Sequence, residues 1–352
     1  MADAMETPTF NATTGFARWL KDAGISIGFT TYQSGKVFLL GHNPQDELSI
    51  FERTIERAMG LWSDGESMVL GGAYQLYLFS NNLTPGQAWE GYDALYAPRM
   101  AWYTGDVDSH DVYLDRSRGI PVFVNTLFSC IAAVSSTHSF EPLWQPRFVS
   151  ALGPDDRCHL NGLALRDGSP VYATAVATTD HAEGWREHRS DGGVVIDISS
   201  GEIICQGLSM PHSPRWHDGR LWVANAGTGE FGIVDPTTGS FEPVAFCPGY
   251  IRGVALHGRH AVVGLSKPRG NKTFEGLPLH DRLARKDAAA CCGLRVISLD
   301  TGEIVQSLDI EGVVEELYDV AVLPGVRRPS LVGFRNDEVR RLLHVGPRGT
   351  LS

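Results

Sequence analysis

Residues 161–176 read NGLALRDGSPVYATAV and carry the pattern from which the fold class follows. Two short runs of apolar and β-branched residues flank the dipeptide Asp167-Gly168, a pattern typical of a tight β-hairpin. After a polar segment come GVVID at 193–197, a Ser-Ser-Gly turn and EIICQ at 202–206. Four short strands joined by tight turns predict one small antiparallel sheet.

The opening of this stretch recurs as a repeat phrase: any residue, Gly or Asp, Leu or Val, then Ala or an aromatic residue. The fourth copy is diverged and is aligned on the Asp-Gly turn that follows it. The six copies begin at Met59, His110, Asn161, His212, Arg252 and Tyr318. Residues 267–292 interrupt the strand pattern and lengthen the last interval. Repeats of roughly 40–50 residues are typical of propeller blades, so the sequence predicts an all-β fold, a six-bladed β-propeller.

The N-terminal segment holds strand-like runs that no repeat claims. These runs lie at residues 26–31, 36–40 and 48–53. The sixth repeat begins at Tyr318 and runs out of chain before it can supply four strands. We therefore expect residues 26–53 to complete the last blade, closing the ring and removing exposed sheet edges. A short amphipathic helix is expected at residues 13–21. Residues 1–352 would then form a single propeller domain; an open sandwich or two separate β-domains is the alternative.

Composition excludes several classes of function. The chain carries 30 Lys and Arg against 41 Asp and Glu, and no run of more than two adjacent basic residues. Because nucleic-acid binding needs a basic face, no nucleic-acid partner is expected. No apolar stretch reaches the roughly 18 residues of a membrane-spanning helix, and residues 1–14 lack the pattern of a signal peptide. Six cysteines without a CxxC motif are typical of reduced thiols, which predicts a cytoplasmic protein.

The first residues of the repeat phrases define the candidate site. The phrase marks the start of the innermost strand of each blade, so these residues should converge at one mouth of the central channel. His159 lies two residues before Asn161 and is expected to face the same way. Each residue alone could have a purely structural role, for example as a hydrogen-bonded surface histidine. Their shared position in the repeat favours a functional site. The candidates are His110, His159 and His212 as metal ligands, with Asp156, Asn161, Arg215, Arg252 and Tyr318 as catalytic residues.

Three hypotheses account for these residues. In the first, the imidazoles hold a divalent transition metal (Zn, Fe, Mn or Cu) in an enzyme acting on a small anionic or polar substrate. Asp111 or Asp156 would orient an imidazole, and Arg215 and Arg252 would clamp a carboxylate or phosphate, with hydrolase, lyase and oxygenase chemistry all open. In the second, metal-free acid–base catalysis uses His159 or His212 as base and Tyr318 as acid. In the third, the propeller is a non-catalytic binding module for a protein, peptide or glycan.

Two long insertions are expected to overhang this mouth. In a four-stranded blade, the loop joining the second and third strands returns to the face where the first strand begins. Residues 178–192 and 267–292 occupy that position in the third and fifth repeats. Long loops held by a rigid scaffold often carry function. Trp185 and Arg186 are among the residues expected to reach the channel.

Four phrases carry a resemblance to a known family. They are VNTLFSC at 124–130, DDRCHLNGLA at 155–164, LSMPHSPRWH at 208–217 and GLSKPR at 264–269. They resemble signature phrases of an uncharacterised family of bacterial conserved hypothetical proteins, over residues 60–335. The resemblance implies a shared fold and site but no reaction, and family members carry Glu where this chain has Asp111. The architecture is also similar to six-bladed lactonase-like and strictosidine-synthase-like propellers, which hold a metal or substrate at the channel mouth. The lactonase calcium ligands are not matched, so calcium is not implied.

Overall fold

Six sheets form the blades of a propeller in the computed structural model, which describes residues 7–268 and 276–346. Blade one contains β5 (Leu61–Ser63), β6 (Ser67–Gly71), β7 (Gln75–Asn81) and β8 (Ala94–Tyr103). Blade two contains β9 (Ser109–Asp115), β10 (Ile120–Asn125), β11 (Cys130–Ala133) and β12 (Glu141–Trp144). Blade three contains β13 (Leu160–Arg166), β14 (Ser169–Ala175), β15 (Gly193–Asp197) and β16 (Ile203–Leu208).

The other three blades complete the ring. Blade four contains β17 (Pro211–His217), β18 (Arg220–Asn225), β19 (Glu230–Val234) and β20 (Phe241–Phe246). Blade five contains β21 (Tyr250–His257), β22 (His260–Ser266), β23 (Gly293–Ser298) and β24 (Ile304–Glu311). Blade six contains β25 (Val320–Pro324), β2 (Ile25–Thr31), β3 (Lys36–His42) and β4 (Leu48–Thr54). The first strand of each blade contacts its counterparts around the channel. The predicted six-bladed propeller is confirmed.

The two ends of the chain share blade six. Strand β25 pairs antiparallel with β2, in register from Ile25↔Pro324 to Phe29↔Val320. The C-terminal part therefore supplies the innermost strand, and the N-terminal part supplies the three strands outside it. The predicted closure of the ring by the N-terminal strands is confirmed.

Two further strands extend blades beyond the predicted four. Strand β1 (Thr9–Ala12) pairs antiparallel with β24 on the outer edge of blade five. Strand β26 (Pro329–Leu331) runs parallel to β8 on the outer edge of blade one. Both cover edges that would otherwise present unpaired backbone groups. Runs of three or four residues carry too little periodicity to be recognised from sequence alone.

Helix α1 (Phe16–Ala23) begins later than the predicted helix at 13–21. Thr13 lies outside it because its amide donates to the Ser307 carbonyl at 2.9 Å. Gly24 ends the helix with a φ of 65°, a left-handed conformation that favours glycine. The other helices are α2 (Leu279–Arg285), α3 (Glu338–Arg341) and two short 3₁₀ turns at Gly184–His188 and Ala226–Thr228. Within the described ranges, no helix combines the length and apolar character needed to cross a membrane.

Contact between neighbouring innermost strands explains why the second position of the repeat phrase is Gly or Asp. At Gly253, whose φ is 80°, a Cβ would lie 2.5 Å from the Val320 amide nitrogen of the next blade. Glycine is needed there for the close approach. At Asp111 the carboxylate instead accepts a hydrogen bond from the Leu163 amide of the next blade, at 3.0 Å. Asp319 makes the equivalent bond into blade one. The second position of the repeat phrase is therefore a contact point between adjacent blades.

A residue with a left-handed backbone precedes the innermost strand in blades one to four. These residues are Arg57 (φ 48°), Asp108 (φ 52°), His159 (φ 49°) and Met210 (φ 47°). Each lies two residues before the repeat phrase. A non-glycine residue in this conformation is uncommon and persists only where the surrounding structure holds it.

The hydrophobic cores lie between blades. One cluster joins Tyr113 and Val122 of blade two to Leu160 and Ala173 of blade three. Another joins strands of blade six to those of blade five and to α1. Because each core takes one face from each of two blades, removal of one blade would expose apolar surface on both neighbours.

Candidate functional site

The first residues of five repeat phrases line one small cavity at the mouth of the channel, here called the mouth cavity. Its lining residues are His110, Asp111, Asn161, His212, Ser213, Arg252, Tyr318 and Asp319. Its volume is about 10 Å³, close to the space that one water molecule needs. Met59, the first residue of the first phrase, is buried and does not line this cavity. The structure therefore brings five of the six phrase positions together.

His159 reaches this site by a different route from the one expected. It precedes β13 and has a left-handed backbone, so strand alternation does not orient its side chain. Its ring centroid nevertheless lies 5.0 Å from that of His110. The centroid of the His212 ring lies 5.8 Å from that of His110. The rings of His159 and His212 are therefore both neighbours of His110.

Asp156 and Trp185 hold the His159 ring in place. His159 Nδ1 and Trp185 Nε1 lie 2.9 and 2.8 Å from the same oxygen, Asp156 Oδ2. The two rings pack with centroids 4.1 Å apart. Burial opposes ionisation of Asp156, but the His159 charge and the two hydrogen bonds outweigh it and lower the pKa of Asp156. With an ionised Asp156, Nδ1 of His159 is the donor, and Nε2 of a neutral ring keeps its lone pair.

Thr126 orients His110 in a comparable way. The Thr126 hydroxyl donates to the Leu160 carbonyl at 2.6 Å, so towards His110 Nδ1, 2.8 Å away, it can only accept. Nδ1 of His110 therefore carries the ring proton, and Nε2 keeps its lone pair. Thr126 belongs to the phrase at 124–130, yet no spacing or residue type in the sequence pointed to this contact.

Burial keeps His110 and His212 uncharged at neutral pH. It lowers the pKa of His110 to about 4 and the pKa of His212 well below the usual value for histidine. The positive charge of Arg252 acts in the same direction on both rings. A neutral imidazole is the form that accepts a proton or binds a metal.

Three groups at the mouth cavity present hydrogen-bond donors that lack acceptors. Arg252 Nε, Asn161 Nδ2 and the Tyr318 hydroxyl are buried, and no described residue accepts a hydrogen bond from any of them. The Arg252 guanidinium lies over the Tyr318 ring, 4.6 Å from its centroid. Burial raises the pKa of Tyr318 well above the usual value, although Arg252 opposes this, so the phenol keeps its proton.

Arg215 lies deeper in the channel and does not line the mouth cavity, and its catalytic role stays a prediction. Its Nη1 donates to Asp111 Oδ2 at 2.6 Å and to the Leu163 carbonyl at 2.9 Å. Its Nε donates to the Val254 carbonyl at 2.8 Å, and Asp319 Oδ1 lies 3.9 Å from Nη2. These contacts join the innermost strands of blades two to six. Asp111 therefore pairs with an arginine and does not orient a histidine.

The three histidines do not form a preassembled metal site. In the ranges 7–268 and 276–346, no group of three or more His, Cys, Asp or Glu residues is placed to hold a metal ion. The lone pairs on Nε2 of His110 and His159 are of the right chemical type, and each ring is oriented through Nδ1 as metal-binding histidines usually are. The donor type thus fits a transition metal, but the arrangement does not, and we assign no chemical step to a metal.

The two insertions meet above the mouth. Trp185 is only 2% exposed and belongs to one buried cluster with Leu279 and Leu283 of α2. The Arg186 guanidinium lies over the outer face of Trp185, 4.5 Å from the ring centroid. The sequence predicted that this tryptophan reaches the channel, but not that it shares a buried cluster with residues of the second insertion. Residues 269–275 of that insertion, which include Arg269, lie outside the described residues.

Comparison with protein families identifies the chain. A sequence profile of the family described as a domain of unknown function (DUF4915) matches residues 14–332. The chain belongs to this family. The match spans strands of all six blades and all the site residues of this DUF4915 chain. The predicted membership of an uncharacterised family is confirmed at that level. No curated protein matches the sequence.

Two solved structures are similar to this DUF4915 chain. A chain in the crystal structure of a nidogen/laminin complex is 12% identical, with a TM-score of 0.54 over 86% of this chain and 99% of that chain. A protein of unknown function from Bacteroides caccae is also 12% identical, with a TM-score of 0.49 over 85% of this chain and 98% of that chain. At such identities the likeness concerns the fold alone.

Proposed function

We propose that the protein is an enzyme that binds a small anionic substrate at the mouth cavity and moves a proton on it. The observation that carries the proposal is the Arg252 guanidinium, which lies over the Tyr318 ring but has no anionic partner among the described residues. Arg252 is 8% exposed, and no carboxylate of a described residue forms an ion pair with it. A buried charge without a partner is costly, so such a group is retained where a ligand of opposite charge completes it.

The neighbours of Arg252 favour an oxyanion as that ligand. Asn161 Nδ2 and the Tyr318 hydroxyl add two buried donors without acceptors. Donors that converge on one point bind carboxylate or phosphate oxygens through charge-assisted hydrogen bonds. The small volume of the mouth cavity admits one oxygen of such a group, and the rest of the substrate would lie outside it, near His159 and Trp185.

His159 is the base in this proposal. Asp156 accepts a hydrogen bond from Nδ1–H of His159, which fixes the tautomer in which Nε2 can accept a proton. The Asp156 carboxylate also stabilises the imidazolium that forms. The Tyr318 phenol keeps its own proton and can donate a hydrogen bond to developing negative charge. His110 and His212 are neutral and line the cavity without adding charge. The protein thus binds, orients and accepts a proton with its own side chains.

Replacement of Arg252 by methionine tests the anion-binding half of the proposal. We expect wild-type protein to bind acetate or inorganic phosphate, and we expect Arg252→Met to raise the Kd about 10- to 100-fold, because a charged hydrogen-bond donor is lost. The same variant should unfold at a higher temperature without ligand, since an unpaired buried charge is removed. Calorimetric titration and thermal unfolding measure the two effects.

The matched control is Arg259→Met, because Arg259 pairs with Asp300 on the surface and its side chain is 77% exposed. It should change neither the anion affinity nor the unfolding temperature appreciably. Equal anion affinity in wild type and Arg252→Met would contradict the proposal.

Substitution of His159 tests the catalytic half. On a panel of small carboxylates and phosphate esters, we expect His159→Gln to lower the rate by about 10²- to 10⁴-fold, the usual contribution of a general base. His138→Gln, at an exposed position, is the control and should retain the wild-type rate. If the panel gives turnover that His159→Gln leaves unchanged, His159 is not the base.

A metal-dependent enzyme is the second candidate, favoured by the two imidazoles whose Nδ1 atoms are already held. Elemental analysis of protein purified without a histidine tag separates the candidates. One equivalent of Zn, Fe, Mn or Cu that is lost in a His159→Ala variant would replace the metal-free proposal. Metal-free protein with no turnover, but with affinity for a protein, peptide or glycan, would instead support a binding module.

A further inference from the structure

The channel contains a second cavity, here called the distal chamber, further from the mouth. Its volume is about 220 Å³, and the innermost strands of all six blades contribute to its wall. Because these strands all start at the mouth, residues later in each strand, such as Trp62, Tyr113 and Leu256, lie further along the channel. Asp111 lines both cavities. The Asp111–Arg215 ion pair therefore separates the mouth cavity from the distal chamber.

We propose that the distal chamber binds a small uncharged aromatic molecule that carries one hydrogen-bond acceptor. Its size is the first argument. An apolar protein cavity of about 150 Å³ accommodates benzene, so about 220 Å³ has room for one ring and a short substituent. The wall is the second argument. Leucine and valine side chains surround three aromatic residues, Trp62, Tyr113 and Trp216, and aromatic rings pack favourably against one another.

Arg215 supplies the polar group at the inner end of the chamber, and Ser63 and His217, later in their strands, also line it. The Arg215 side chain is 20% exposed, and its Nη2 has only a long hydrogen bond, 3.4 Å to Asp111 Oδ1, with Asp319 Oδ1 at 3.9 Å. Ordinary hydrogen bonds of this type measure about 2.7–3.2 Å, so Nη2 retains donor capacity. A carbonyl or hydroxyl oxygen can accept from it.

The charge of the ion pair excludes charged ligands. Asp111 already neutralises Arg215 at 2.6 Å, so a carboxylate in the chamber would lie beside Asp111 in apolar surroundings. A cation would meet Arg215 in the same way. Burial of an unpaired charge is unfavourable, and the chamber should therefore prefer a neutral acceptor. This inference is independent of the anion proposed for the mouth cavity.

Acetophenone, ethylbenzene and benzoate form a matched set of probes for the chamber. Acetophenone has the ring and a neutral acceptor, ethylbenzene lacks the acceptor, and benzoate adds a charge. We expect acetophenone to bind with a Kd below about 1 mM and at least about fivefold more tightly than either comparator, because a hydrogen bond contributes about 1 kcal/mol. Calorimetric titration of the Arg252→Met variant with each probe measures this order, because wild-type protein would also bind benzoate through Arg252 at the mouth cavity. Benzoate binding as tightly as acetophenone would overturn the charge argument.

A chamber-filling substitution locates the binding. Leu256→Trp places a larger side chain at the chamber wall, and Leu143→Trp makes the same change on the outermost strand of blade two, where Leu143 is 41% exposed. We expect Leu256→Trp to weaken acetophenone binding at least tenfold and Leu143→Trp to leave it unchanged. Val322→Phe, also at the chamber wall, replaces Leu256→Trp if that variant does not fold. Absence of binding up to 10 mM acetophenone, or equal binding in all variants, would refute the proposal, whatever acetate and phosphate do at the mouth.

Discussion

Removal of residues 1–56 is expected to leave a protein that does not fold. The deletion takes away β2, β3 and β4, which are three of the four strands of blade six. It leaves β25 without its neighbour and exposes the apolar faces of blades one and five that pack against blade six. An open ring also gains unpaired strand edges, which favour aggregation. Circular dichroism and size-exclusion chromatography should show loss of structure or aggregation.

A shorter deletion is the control for ring closure. Removal of residues 1–12 takes away β1, which covers only the outer edge of β24 and leaves all six blades with four strands. We expect this variant to fold as a monodisperse protein with reduced stability. A folded, cooperative protein after removal of residues 1–56 would show that five blades suffice.

Replacement of Arg215 by leucine is expected to lower the free energy of unfolding by about 3–5 kcal/mol, the usual cost of removing one partner of a buried ion pair. Asp111 would keep its carboxylate in the channel without a cation, and the carbonyls of Leu163 and Val254 would lose their donor. Urea denaturation measures the loss. Arg147→Leu, which breaks a pair with Glu202 between side chains that are 68% and 71% exposed, is the control and should cost below about 1 kcal/mol.

The loss in Arg215→Leu should grow with pH because of Asp319. Burial and the Asp111 charge raise the pKa of Asp319 to about 7, although Arg215 opposes them. The folded protein therefore keeps a proton on Asp319 that an unfolded Asp releases near pH 4, and this residue's contribution to stability falls as pH rises from about 4 to 7. Without Arg215 the pKa of Asp319 should rise further, so the difference in the free energy of unfolding between wild type and Arg215→Leu should be larger at pH 8 than at pH 5. An equal loss at both pH values would show that Arg215 does not act on Asp319.

The sequence predicted much of this protein because a propeller repeats the same physical requirement in every blade. The Gly or Asp of the repeat phrase sits where neighbouring innermost strands touch, so the phrase marked the channel. For the same reason it marked His110, Asn161, His212, Arg252 and Tyr318 as neighbours across nearly 210 residues of chain. The predicted six blades and their closure by the N-terminal strands followed from counting phrases and unassigned strands.

Other features were decided by tertiary structure, because they depend on contacts that have no fixed spacing. Strand alternation predicted where His159 points, but a left-handed backbone and the Asp156 carboxylate orient it instead. Trp185 is buried in a cluster that draws residues from both insertions and from blades four and five.

The charged residues of the channel also differ in how far sequence alone could predict their contacts. As arginines near the channel, Arg215 and Arg252 were equivalent candidates for binding a substrate anion. In the structure Arg215 lies beside the carboxyl groups of Asp111 from blade two and Asp319 from blade six, and Arg252 does not. Sequence alone predicted five of the residues that line the mouth cavity, since the repeat places the first residue of each phrase at the same level in its blade. Only the tertiary structure determined which charged side chains in the channel form ion pairs and which remain free to bind a ligand. The reason is that the partners of a side chain in the channel come from other blades.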